Sequence, residues 1–163
     1  MEISPQIAQL AAEIINTLRL SKETLSTAES LTAGALSSAI VSIAGASDVF
    51  LGGITAYSDE IKASHLGVSP QLIAENTSIS ELVAIEMAKG AIKSFGTTWA
   101  ISTTGVAGPD PHNGHQVGTV WVAIQGPICQ QIELSLTGER ESIRNATTES
   151  AIAGFARILR HRA

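Results

Sequence analysis

Thiol chemistry is almost absent from this chain, which carries one cysteine, Cys129. No intrachain disulfide and no cysteine-based zinc cluster can form, a pattern that fits a reducing, cytoplasmic compartment. Basic residues are also few: 10 Lys and Arg stand against 15 Asp and Glu, a formal net charge of −5, and no basic run interrupts the sequence. That balance argues against broad binding to nucleic acid or to an anionic membrane, while a small molecule bearing a phosphate stays within reach. Long apolar runs are missing too. The best stretch, Ala33 to Ala46, is broken by Ser37, Ser38, Ser42 and Gly45, and a spanning helix needs roughly 20 apolar residues. Met1 to Gln9 carries Glu2 and no positive charge ahead of an apolar segment, the wrong order for a secretory signal. There is neither an internal repeat nor a low-complexity segment. What is plentiful is apolar material: 44% of the 163 residues are hydrophobic and 15% charged, which supports one folded core and a single domain over residues 1–163.

Ser4 before Pro5 caps a first helix, along which Ile7, Leu10, Ala11, Ile14, Ile15 and Leu18 repeat with helical spacing. A strand over Thr24 to Ala28 and an Ala/Ser-rich helix over Leu31 to Ile43 follow, with Gly45 as the stop. Val49 to Ser58 reads as a strand in which Gly52 and Gly53 mark a bulge or a close backbone approach. Short helices are expected at Asp59 to Leu66 and from Ser69-Pro70 to Glu75, and a longer one from the Ser80 cap to Lys93. Thr98 to Thr104, Val117 to Gln125 and Ile128 to Leu136 are three further strands, the last two an antiparallel hairpin about Gly126-Pro127. A final helix spans Glu139 to Leu159. This order predicts an α/β fold, a three-layer α/β/α sandwich around a five-stranded mixed sheet. The one long irregular stretch, Gly105 to Gln116, is rich in glycine and proline, and a loop of that length in a small domain often carries function.

Ser30 falls where the first strand ends and a helix is expected to begin. There a hydroxyl serves either as a helix cap or as a nucleophile whose oxyanion would face free backbone amides. No Gly-x-Ser-x-Gly surrounds it, so an α/β-hydrolase elbow is not indicated. A base could be one of the four histidines, His65, His112, His115 and His161, or a lysine kept neutral by burial. Lys62, five residues after Tyr57, is such a lysine or else a solvated one, and Tyr57 is a proton relay or a packed aromatic. His112, His115 and Asp110 raise a metal reading that the proline-glycine loop and the lack of a second ligand cluster disfavour. Gly105 to Pro109 could present backbone amides to a phosphate but has neither Rossmann nor Walker spacing. Arg140 and Arg144, four apart on one helix face, could grip a phosphate or pair with Glu141 and Glu149.

Taken in order, these segments are more specific than any one of them. Thr27-Ala28-Glu29-Ser30-Leu31-Thr32-Ala33-Gly34, Ile43-Ala44-Gly45-Ala46-Ser47, Gly53-Ile54-Thr55-Ala56-Tyr57-Ser58 with Lys62, Gly105-Val106-Ala107-Gly108-Pro109, Val117-Gly118-Thr119-Val120-Trp121 and Gly138-Glu139-Arg140 resemble the CinA C-terminal-domain family from about Leu10 to Leu159. The family includes stand-alone nicotinamide-nucleotide amidohydrolases and the second domain of competence/damage-inducible proteins. The length implies the stand-alone form, without the molybdopterin-binding-like N-terminal domain. The resemblance implies a three-layer fold and hydrolysis of the carboxamide of nicotinamide mononucleotide, giving nicotinate mononucleotide and ammonia in pyridine-nucleotide recycling. It implies Ser30 as nucleophile, Lys62 as its base and Tyr57 as a partner orienting the pair. Thr32, Gly34, Ser47, Thr104 and Gly105 would line the substrate pocket, and Arg140 and Arg144 would hold the phosphate. No metal or organic cofactor is implied, and the expected assembly is a homodimer.

The loop departs from the family pattern. Members often follow Gly-Pro with further glycines and a lysine before Val-Gly-Thr-Val, whereas this chain reads Asp110-Pro111-His112-Asn113-Gly114-His115-Gln116. The missing lysine charge bears on substrate affinity more than on the dyad, and His112 or His115 is the available replacement. The altered loop also keeps open a non-catalytic nucleotide-binding or regulatory module on the same fold.

Overall fold

The serine caps expected at Ser4, Ser69 and Ser80 form, and Ser58 caps a fourth helix for which the sequence reading names no cap. The N–H groups of Ile7, Ile61, Leu72 and Val83 each donate, at 3.3 Å, to the hydroxyls of Ser4, Ser58, Ser69 and Ser80. These caps satisfy amides that a helix leaves free at its first turn. They open α1 (Pro5–Ser21), α3 (Asp59–Leu66), α4 (Pro70–Asn76) and α5 (Glu81–Phe95). The remaining helices are α2 (Ala35–Val41) and α6 (Arg140–His161), with a single 3₁₀ turn at Ala46–Asp48. The strands are β1 (Leu25–Glu29), β2 (Phe50–Thr55), β3 (Trp99–Gly105), β4 (Thr119–Gln125) and β5 (Gln130–Ser135). This computed structural model describes residues 3–162; Met1, Glu2 and Ala163, the ends of the expected single-domain span, lie outside the described residues.

The five strands form one mixed sheet in the order β2-β1-β3-β4-β5. β1 runs parallel to both β2 and β3, whereas β4 is antiparallel to β3 and to β5, so the expected hairpin is present. One core packs α1, α2 and α6 on one face through residues such as Ile14, Leu18, Leu36, Ile40 and Phe155. A second core covers the other face with α3, α4 and α5, including Leu66, Ile73, Val83 and Met87. The result is the expected α/β/α sandwich.

β1 is buried along its whole length, as a strand must be with a neighbour on each side and helices above and below. Its polar residues are paired internally: Ser26 Oγ lies 2.7 Å from Thr97 Oγ1, and Thr27 Oγ1 lies 2.7 Å from Ser37 Oγ. The expected bulge falls just before the Gly52-Gly53 pair, at Leu51, and the close approach there is made by side chains rather than by backbone. The β1–β2 register slips between Leu25 and Ser26, and a Cβ on Gly53 would lie 2.1 Å from Thr27 Oγ1.

The chain leaves β1 through α2 on one face and reaches β3 through α3, α4 and α5 on the other. The carboxyl ends of β1 and β3 therefore flank the point where the winding reverses, the crevice in which open α/β sheets place their ligands.

Candidate active site

Ser30 extends the β1–β3 ladder by one bond, its N–H donating to the Thr103 carbonyl at 2.9 Å. The chain then turns rather than entering a helix at once. Ala33 and Gly34 sit at φ +49° and +94°, left-handed values that break helical geometry, so α2 begins at Ala35 and its cap is Gly34. Two expectations change. The helix does not start at Leu31, and Ser30 is not its cap.

The free amides expected to face Ser30 are occupied by Glu29. Its buried carboxylate accepts from the N–H groups of Gly34 and Leu36, each at 3.0 Å, and of Ser37 at 2.8 Å. It also accepts from the hydroxyls of Ser37 at 2.6 Å and Thr32 at 2.7 Å. A carboxylate supplies the capping oxygens that Gly34 lacks. Sequence reasoning assigned Glu29 no role, although it is the only charged residue between Thr24 and Gly34.

Lys62 projects inward from α3 and its side chain is 2% exposed, so it is not a solvated surface lysine. Its Nζ donates to Ser30 Oγ at 3.1 Å and to the Tyr57 carbonyl at 3.2 Å, with Asp59 Oδ1 at 3.8 Å. Burial pushes the Lys62 ammonium below its ordinary range, while the charges of Asp59 and Glu60 oppose that shift. The residue type, distance and desolvation are those of a base beside a hydroxyl nucleophile.

A cavity of about 500 Å³ opens over this pair and is lined by Ser30, Tyr57, Lys62, Thr104, Gly105 and Arg140 among others. Tyr57 reaches Lys62 through its backbone carbonyl; its phenol is exposed and accepts from Arg140 Nη2 at 2.9 Å. Arg140 Nη1 also donates to the Gly108 carbonyl at 2.6 Å, tying the glycine-proline turn to α6. The Thr104 hydroxyl donates to the Ser78 carbonyl at 2.6 Å, which fastens the α4–α5 connection against the cavity. Gly105 is needed for packing, because a Cβ there would lie 2.7 Å from the Thr119 carbonyl oxygen.

The other expected pocket residues lie elsewhere. Thr32 is fully buried beneath the turn, its hydroxyl shared between Glu29 and Thr103. Gly34 and Arg144 border a neighbouring cavity of about 530 Å³ that also touches Arg140. Arg144 donates to the carbonyls of Leu31 at 2.9 Å and Thr32 at 3.0 Å, so its guanidinium grips the turn itself rather than Glu141 or Glu149. Ser47 is exposed in the 3₁₀ turn that leads into β2. Because Leu25 N–H donates to the Val49 carbonyl, that turn lies at the amino end of β1, opposite Ser30.

His112 and His115 bond to each other through their backbones, and His115 Nε2 lies 2.9 Å from Thr77 Oγ1. Among the described residues no three His, Cys, Asp or Glu side chains gather as a metal site. None of the described helices is long and apolar enough to cross a membrane.

A mixed five-stranded α/β/α sandwich with a Ser–Lys pair buried at the carboxyl ends of its parallel strands is the class this chain falls into. It belongs to the CinA C-terminal domain family, whose model matches residues 7–159. The chain is 41% identical over 149 residues to a CinA-like protein of Kosmotoga olearia, covering 90% of this chain and 36% of that protein. It is 38% identical over 139 residues to a CinA-like protein of Myxococcus xanthus, covering 82% of this chain and 32% of the relative. The chain thus spans about a third of the length of the curated relatives it matches. Two solved structures match almost end to end. Competence damage-inducible protein A from Klebsiella pneumoniae superposes with a TM-score of 0.92 at 29% identity, covering 96% of this chain and 99% of that one. The competence/damage inducible protein CihA from Agrobacterium tumefaciens gives 0.93 at 29% identity, covering 99% of each.

Proposed function

We propose that this chain, acting as one CinA C-terminal-like domain and as a homodimer, hydrolyses the carboxamide of nicotinamide mononucleotide to nicotinate mononucleotide and ammonia. The observation that carries the reading is the 3.1 Å contact between Lys62 Nζ and Ser30 Oγ, with both residues buried at the floor of the cavity. Neutral Lys62 takes the Ser30 proton as Oγ attacks the carboxamide carbon. The proton passes to the leaving nitrogen, the C–N bond breaks and ammonia departs. Water, deprotonated by the same lysine, then cleaves the Ser30 ester and releases the carboxylate. The route calls for no metal and no organic cofactor. Arg140, exposed at the cavity rim with Tyr57, supplies a cation for the phosphate and an aromatic surface for the pyridine ring.

The test is a substrate comparison. Ammonia release should be faster from nicotinamide mononucleotide than from the riboside lacking phosphate, and should persist in excess chelator. Saturable nucleotide binding without turnover of any amide would favour a binding or regulatory module, and loss of activity on chelation would restore the histidine-metal reading.

A further inference from the structure

The helix amides that would ordinarily stabilise an oxyanion beside Ser30 already belong to Glu29, so the developing negative charge needs other donors. The turn offers one that borders the cavity, the N–H of Leu31. Among the described residues no protein group accepts from the N–H of Leu31 or of Thr32, while the neighbouring N–H groups are bonded: Ser30 to Thr103, Ala33 to the Ser30 carbonyl, and Gly34 to Glu29. Leu31 and Ser30 both line the cavity. In α/β-hydrolases, whose elbow motif this chain lacks, the N–H directly following the nucleophile is likewise an oxyanion donor.

Peptide planarity then ties the Leu31 N–H to a residue on the far side of the turn. In a trans peptide the C=O and the following N–H point in opposite directions. The Leu31 carbonyl is held by Arg144 Nε at 2.9 Å, so the Thr32 N–H of the same peptide is aimed away from Arg144. The Thr32 carbonyl is held by Arg144 Nη2 at 3.0 Å, with a further bond from Ala35 N–H at 3.0 Å. The Ser30 carbonyl accepts from Ala33 N–H at 3.1 Å, which fixes the Leu31 N–H in turn. Resting on the amide-hydrolysis reading above, we propose that Arg144 is a positioning residue: by pinning the Thr32 carbonyl it sets the Ala33 N–H that holds the Ser30 carbonyl, and so aims the Leu31 N–H at the oxygen that becomes anionic when Ser30 attacks. Arg144 acts through the turn and does not hold the substrate phosphate.

Arg144→Met, which keeps the aliphatic stem, and Arg144→Lys, which keeps one donor, separate these roles. Ammonia release from nicotinamide mononucleotide and from its riboside is measured for both variants, together with labelling of Ser30 by a fluorophosphonate, whose phosphoryl oxygen takes the oxyanion position without needing the amide substrate. Loss of the aimed donor should lower kcat about 10²-fold in Arg144→Met, with KM within about threefold and the same factor for both substrates. Labelling should slow in parallel, and Arg144→Lys should recover part of both rates. A rise in KM confined to the phosphorylated substrate would overturn the proposal in favour of a phosphate ligand. So would unchanged labelling in a folded variant, or a parent that is not labelled at all. If the parent labels in an Arg144-dependent way but releases no ammonia from either compound, the positioning role stands and the substrate assignment fails.

Discussion

Lys62 is the residue on which the chemistry depends, and its ionisation predicts the pH response. Burial lowers its pKa from the ordinary 10.5, and the charges of Asp59 and Glu60 raise it. Only the neutral amine accepts the Ser30 proton, so kcat/KM should climb with pH and level off below 10.5, the ordinary lysine value. Asp59→Asn removes a charge that favours the ammonium and should move that limb to lower pH; a shift upward, or none, would count against Lys62 as the base. At this scale the sequence carried residue types but not their partners. The pairing of Ser30 with Lys62 was legible from the order of motifs. That Tyr57 contributes its carbonyl to Lys62, and that Glu29 occupies the α2 amides, was not. Such contacts depend on side-chain directions set by tertiary packing, to which sequence spacing is blind.

Among the elements, boundaries governed by local chemistry were readable, and those governed by backbone handedness were not. Ser-Pro and serine caps located α1, α4 and α5 because the cap bond forms within a few residues. The start of α2 moved from Leu31 to Ala35 because Ala33, an alanine, adopts φ +49°, which nothing in its identity announces. Ser47 was grouped with the pocket by motif, yet the parallel pairing of β1 with β2 sends it to the opposite end of the sheet. Packing between α3 and α5 gives a prediction at this scale. Gly90 is buried in α5, and a Cβ there would lie 2.0 Å from the Leu66 carbonyl oxygen. Gly90→Ala should cost about 1–3 kcal/mol in denaturant unfolding despite the better helix propensity of alanine. A gain in stability would show that α3 and α5 are not packed as described. Because α3 carries Lys62, the variant should also lose activity.

For the molecule as a whole, the alternation of helices and strands and the one hairpin were sufficient to anticipate a three-layer sandwich with a mixed sheet. The crevice was not legible in that alternation, because it depends on the strand order β2-β1-β3-β4-β5, which puts the reversal of winding between β1 and β3, beside Ser30 and Thr104. The most direct measurement of the central claim is ammonia release from nicotinamide mononucleotide by the purified protein in chelator, with Lys62→Ala and Ser30→Ala run alongside. The account predicts turnover by the parent and a loss of about 10²–10⁴-fold or more in each variant, with the fold intact by circular dichroism. Turnover retained in both folded variants, or none from a folded parent, would contradict it.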